Sequence, residues 1–166
     1  MVDRDTNGVI SFDVGSKEVN EQSVKLIVDF LLSLDHRKVE LRCDNDYTAQ
    51  SLQRLVATKR LEKSPEFTTV LSQGKLKDSP SMGAVESAIR WWRGKFRTLL
   101  YQMQLQYQCR IGKDHPMWPW MVHRAGVLNT TYRVRADGAT AYFAIHGHHY
   151  TGEICVMGET VLMRMP

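Results

Sequence analysis

Between Ser81 and Met103, the apolar residues Val85, Ile89, Trp92, Phe96, Leu99 and Met103 recur at three- and four-residue intervals. Only an α-helix gathers such positions on one side, so the spacing predicts a long helix with a continuous apolar face. Ser79 and Pro80 interrupt what precedes it, and Ser81 offers a hydroxyl to cap the free N–H groups of the first turn. Offset by one residue, about 100° around the axis, runs a second stripe of Glu86, Arg90, Arg93 and Arg97. This stripe has two readings. In the first, Glu86 pairs with Arg90 one turn on, contributing only a few tenths of a kcal/mol. In the second, Glu86 is a metal ligand and the arginines form a track for phosphates. Gly94, inside the same helix, costs roughly 1 kcal/mol and permits a close approach or a slight bend. Gly112 in Arg110-Ile111-Gly112 is expected to end the helix.

Upstream, Val39-Glu40-Leu41-Arg42-Cys43 alternates like a half-buried strand and runs straight into Asp44-Asn45-Asp46. A strand ending in Asp44 and a helix beginning near Glu86 are two elements able to aim oxygens at one point, as hard divalent cations require. The pair of segments, Cys43-Asp44-Asn45-Asp46 and Ser79-Pro80-Ser81-Met82-Gly83-Ala84-Val85-Glu86-Ser87, resembles the second and third acidic positions of retroviral and retrotransposon integrases. In that family an Asp-Asn-Gly turn follows a strand, and an Asn/Gln-Gly-x-Val-Glu segment opens the catalytic helix. Asp3-Arg4-Asp5-Thr6-Asn7-Gly8 looks like the turn between the family's second and third strands. Asp114-His115-Pro116, Trp118-Pro119-Trp120 and Ala139-Thr140-Ala141-Tyr142 look like its later helical segments. Met82 and Asp46 depart from the family pattern, and nothing matches its first catalytic aspartate; Asp3 and Asp5 fall in the turn after the second strand.

The resemblance implies an α/β chain: a ribonuclease-H-like core, a mixed sheet flanked by helices, missing its first strand and most of the second. It implies DNA integration by a retroelement polyprotein, with 3′-end processing and strand transfer as in-line phosphoryl transfers assisted by Mg²⁺ or Mn²⁺. Asp44 and Glu86 would be the catalytic and metal-binding residues, and Arg90, Arg93 and Arg97 the DNA-binding ones. The implied partners are element ends and target duplex, with a homo-oligomer when the core is complete. Without the first aspartate the chain is expected to be inactive. Two alternatives stand beside this reading. One is an inactive remnant that grips nucleic acid through the arginines and Lys75–Lys77; the other is a ribonuclease-H-like nuclease acting on RNA–DNA hybrids. Loss of the first strand is expected to leave unpaired edges, poor folding or a non-family strand order.

Composition sets wide bounds. The chain has 166 residues, 43% apolar and 24% charged, which suits one globular domain. Its net charge of +4 is compatible with nucleic acid. No apolar run approaches the length of a membrane span, and the acidic start Met1-Val2-Asp3-Arg4-Asp5 lacks the apolar region of a signal peptide. A nuclear or cytoplasmic protein, not secreted and not membrane-bound, is therefore expected. Cys43, Cys109 and Cys155 have no zinc-type spacing and read as reduced thiols. His146, His148 and His149 read as solvent-facing imidazoles of a loop, without the orderly partners of a metal site.

In chain order, alternation predicts a strand over Val9–Val14, and helical spacing predicts a helix over Asn20–Ser33. That helix is capped by Asn20, with Val24, Ile27, Val28, Leu31 and Leu34 inward. A second helix over Thr48–Thr58, through Leu52, Leu55 and Val56, is capped by Thr48. A strand follows at Phe67–Leu71, then a polar loop at Ser72–Met82. This β-α-β-α-β rhythm favours parallel pairing. Beyond the long helix, another covers Pro116–Asn129, with Trp120, Val122, His123, Val127 and Leu128 supplying bulk. The four tryptophans are expected to pack between these helices, with Trp91 off the apolar stripe. A short helix near Thr140–Ala144 interrupts the tail. Residues 1–145 are assigned to the core and 146–166 to a linker, with Thr160–Met165 opening a following β module.

Overall fold

The computed structural model describes residues 1–15, 18–74 and 79–159, with 79–82 described by backbone alone. In chain order it has α1 (Glu21–Ser33), β1 (Lys38–Cys43), α2 (Tyr47–Lys63), β2 (Thr68–Gln73), α3 (Ser79–Tyr107), α4 (Trp118–Tyr132) and α5 (Ala141–His146). The described residues are mixed α/β, with five helices and a small two-stranded parallel sheet. It divides into two compact units: Met1 with Val14–Ser87, and Val2–Asp13 with Ala88 onward.

In the first unit, Asn20 caps α1 as expected, its side chain accepting from the Ser23 N–H at 2.8 Å. Val24, Ile27, Val28, Leu31 and Leu34 are all buried. Pairing runs in register from Lys38 with Thr68 to Cys43 with Gln73. The helix between these strands departs from expectation at both its start and its inner face. Asp46, not Thr48, caps α2, its carboxylate accepting from the N–H groups of Thr48 at 2.8 Å and Ala49 at 3.1 Å. An ionised cap meets the positive end of the helix better than a hydroxyl one turn position later.

The inner face of α2 is Gln53, Val56 and Arg60, whereas Leu55 is 46% exposed. The reason lies in the size of the sheet. With only two strands, backbone carbonyls left without a strand partner must find donors elsewhere. Gln53 Nε2 donates to the Leu41 carbonyl and, at 2.9 Å, to that of Ser72. Arg60 Nη1 donates to the Thr68 carbonyl at 3.0 Å and to Thr69 Oγ1 at 2.9 Å, and its Nη2 donates to the His36 carbonyl.

The second unit is built on α3 and α4. Phe96, Leu99, Met103, Ile111, Met121, Val122 and Ala125 form its core. Trp92 stacks on Phe96 at 5.2 Å between ring centroids, and Trp118 meets Phe96 edge-on at 4.8 Å. Two of the four tryptophans therefore pack as expected, while Trp91 and Trp120 are exposed. α4 turns Met121, Val122, Ala125, Gly126 and Asn129 inward, so the expected contributions of Trp120, His123 and Val127 are corrected. Ile89 is likewise exposed rather than buried.

α3 ends at Tyr107, with Gln108 at φ 49°, earlier than Gly112 predicts. Stopping there lets Ile111 return to the core, where its N–H donates to Gln104 Oε1 at 3.1 Å. α5 is capped by Thr140 and ends at Gly147, whose φ of 73° suits glycine.

The strand expected over Val9–Val14 does not form; Val9 makes only an isolated antiparallel bridge with Val2. Side chains and carbonyls of α4 take the place of a neighbouring strand. The Val9 N–H donates to Thr130 Oγ1 at 2.8 Å, and that hydroxyl donates to the Val9 carbonyl at 3.0 Å. Ser11 Oγ donates to the Val122 carbonyl at 2.6 Å. The bridge closes the turn expected at Asp3–Gly8, in which Asp3 Oδ2 accepts from the Thr6 N–H at 2.8 Å. Expectations for Lys75–Lys77 and for a strand at Thr160–Met165 lie outside the described residues, as does the Ser81 side chain.

Candidate nucleic-acid interface

Asp44 follows β1 directly, at the carboxyl end of a parallel strand pair, the edge at which α/β sheets generally place their sites. It is exposed, and its Oδ1 accepts from the Asn45 N–H at 2.8 Å. The neighbouring Cys43 thiol feels the local charge: burial, then the carboxylates of Asp44 and Asp46, push its pKa above the ordinary value. Glu86 is exposed in the early part of α3 and belongs to the same unit as Asp44.

Among the described residues, neither Asp44 nor Glu86 belongs to a group of three His, Cys, Asp or Glu side chains with ligand atoms within 4.8 Å of one another. A hard cation needs six or more oxygen ligands and a matching negative charge. Mg²⁺ usually fills that shell with one or two carboxylates, waters and substrate phosphates.

The basic stripe lies in the second unit. Arg90, Arg93 and Arg97 are exposed along α3. Among the described residues none of them forms an ion pair, and Glu86 does not pair with Arg90. Like charges one turn apart repel by a few tenths of a kcal/mol. A stripe of this kind is relieved by an anion that spans it.

Beside the stripe, Arg90, Trp91, Gly94, Lys95 and Thr98 line a shallow hollow of about 370 Å³. Their spacing places them on one side of α3, which the sequence could have shown. Two cations lie over the Trp91 ring: Arg133, with its guanidinium carbon 4.9 Å from the centroid, and Lys95, with Nζ at 5.9 Å. No spacing rule connects Arg133 to α3; it follows α4, and only the fold brings it to Trp91. Lys95, Thr98 and Arg133 are therefore additions to the residues marked by the sequence.

His146, His148 and His149 are exposed, as expected. Their rings lie against aromatic neighbours, with Tyr142 4.3 Å from His146 and 5.6 Å from His148, and Phe143 4.7 Å from His149. Among the described residues, no helix is long and apolar enough to cross a membrane. No family model and no characterised protein matches the sequence.

Proposed function

We propose that this chain is the DNA-handling core of an integrase-type polynucleotidyl transferase with a ribonuclease-H-like ancestry. In this reading Arg90, Arg93 and Arg97 hold DNA phosphates, and Asp44 and Glu86 are the acidic pair of the phosphoryl-transfer site. The observation that carries it is the stripe itself: three exposed guanidinium groups along one helix, with no carboxylate paired to them among the described residues. The position of Asp44 just past the carboxyl end of β1, and the motif similarity around Glu86, add to it.

Arginine suits the role because its planar fork can meet two phosphate oxygens at once. Phosphate contacts fix a duplex in place without reading its sequence. In this reading two carboxylates serve where the family uses three acidic residues, so divalent-cation affinity should be weak, because each missing carboxylate removes both charge and a coordination site. The chain is therefore expected to bind DNA without trimming ends or transferring strands.

The test is fluorescence anisotropy with duplexes of unrelated sequence across a salt series. Replacing Arg90, Arg93 and Arg97 together by Gln should weaken binding to all duplexes alike. It should also reduce the slope of log K against log salt by about 1 for each arginine lost. Equal affinity and slope for the wild type and the triple variant would remove the basis of the proposal. Tighter binding to an RNA–DNA hybrid than to duplex DNA would favour a hybrid nuclease instead.

A further inference from the structure

Trp91 is one of the aromatic residues that the second unit leaves exposed, with Trp120 and Tyr101 more exposed still. Its neighbour Trp92 is turned into the core against Phe96, yet Trp91 stands 45% exposed on the rim of the hollow lined by Arg90, Gly94, Lys95 and Thr98. Burying an indole is among the larger gains available to a folding chain, and this one keeps nearly half of its surface in solvent beside the hollow, where a ligand could cover it. The ring is also held in place. Arg133 and Lys95 both lie within cation–π range of it, which limits its rotation and surrounds it with positive charge. A Cβ at Gly94 would meet nothing within 4 Å, so the hollow is open at that point.

We propose that this hollow is a stacking site for one unpaired nucleotide of a DNA strand, with the base on Trp91 and an adjoining phosphate on Arg90 and Lys95. The inference deepens the DNA-binding reading above and rests on it. The hollow's volume of about 370 Å³ lies at the lower end of small-ligand sites, enough for a single nucleotide. Bases inside a duplex have both faces covered by their neighbours, so only a frayed, flipped or single-stranded nucleotide can offer one to an indole. Stacking on an aromatic ring tolerates any base, because every base has a π-face. The hollow would therefore select unpaired strand over duplex without selecting sequence.

The experiment uses the whole 166-residue chain and measures anisotropy at one fixed salt concentration. Three probes are compared: a thymidine octanucleotide, an abasic octanucleotide of the same charge, and a blunt duplex. The wild type should bind the thymidine strand about tenfold tighter than the abasic one. Trp91→Ala should abolish that preference while leaving duplex affinity unchanged, and Trp91→Phe should retain most of it. A thermal melt of each variant checks the fold. Absence of the preference in the wild type, or its survival in Trp91→Ala, overturns the proposal. The DNA-binding reading is tested separately by Arg93→Gln/Arg97→Gln, which lies outside the hollow. If that variant binds duplex as the wild type does, the reading fails, whatever the Trp91 result. If no oligonucleotide binds, both fail. Trp91-dependent binding to phosphatidylserine vesicles without any base preference would assign the hollow to a lipid headgroup and overturn the nucleotide proposal.

Discussion

Gln53 and Arg60 stand about two turns apart on α2 and grip the two ends of the same strand pair. Gln53 bridges the Leu41 and Ser72 carbonyls, and Arg60 bridges those of His36 and Thr68. Arg60 is 0% exposed and has the Phe67 ring 4.9 Å from its guanidinium carbon. Burial pushes its pKa down, but a guanidinium keeps its proton in proteins, so the group stays charged, with Nη1 and Nη2 donating to neutral oxygens and Nε buried without a partner among the described residues. Arg60→Met should lower stability by about 3 kcal/mol, because three acceptors lose their donor at once. Arg60→Lys should recover little, since an ammonium cannot reproduce the fork. Urea denaturation checks both; a loss for Arg60→Met below about 1 kcal/mol would show that the strand ends do not depend on the clamp.

The start of α2 gives a comparison between two candidates two residues apart, Asp46 and Thr48. Asp46→Ala should cost about 1 kcal/mol by removing the acceptor for the Thr48 and Ala49 N–H groups. Thr48→Ala should change stability by less than about 0.5 kcal/mol, as expected of a surface substitution away from a cap. Thermal or urea unfolding of the pair decides it, and the reverse ranking would return the cap to Thr48.

Gly126 is required by contact rather than by backbone angle. A Cβ built on it would lie 2.3 Å from Ser11 Oγ and 3.1 Å from Ser11 N. Gly126→Ala should therefore destabilise by roughly 1–3 kcal/mol and disturb the Ser11 bond to the Val122 carbonyl. Adding Ser11→Gly should restore part of the loss, because the closest clashing atom goes with the side chain. Strict additivity of the two changes in a double-mutant cycle would count against a direct contact.

Cysteine reactivity should report the charge at the end of β1. Cys109 and Cys155 are exposed, whereas Cys43 is only partly so and its thiol pKa is raised by burial and by Asp44 and Asp46. A raised pKa means less thiolate at any given pH, and the thiolate is the reacting species. With iodoacetamide near pH 8, Cys43 should label last, and its rate should keep rising at pH values above the ordinary thiol range. Asp44→Asn should bring that rise to lower pH. Peptide mass mapping of the labelled sites over time reads all three rates, and an unchanged Cys43 profile in Asp44→Asn would separate the two side chains.

The local elements were legible because local rules govern them. The capped α1 with its apolar face, the β1 and β2 strands, the long α3 and the short α5 each follow from spacing and caps within a few turns. The exposed arginine stripe was equally readable, being a matter of helical phase. What the sequence left undetermined was which partner each backbone group would find. Val9–Val14 alternates like a strand, yet Thr130 and Ser11 tie it to α4 instead. Polar Gln53 and Arg60 displaced Leu55 from the inner face of α2 because a two-stranded sheet leaves carbonyls to be satisfied. The pairing of Trp91 with Arg133 also belongs to the fold alone, since a contact between a residue of α3 and one just past the end of α4 depends on how the two helices pack and not on spacing along either one.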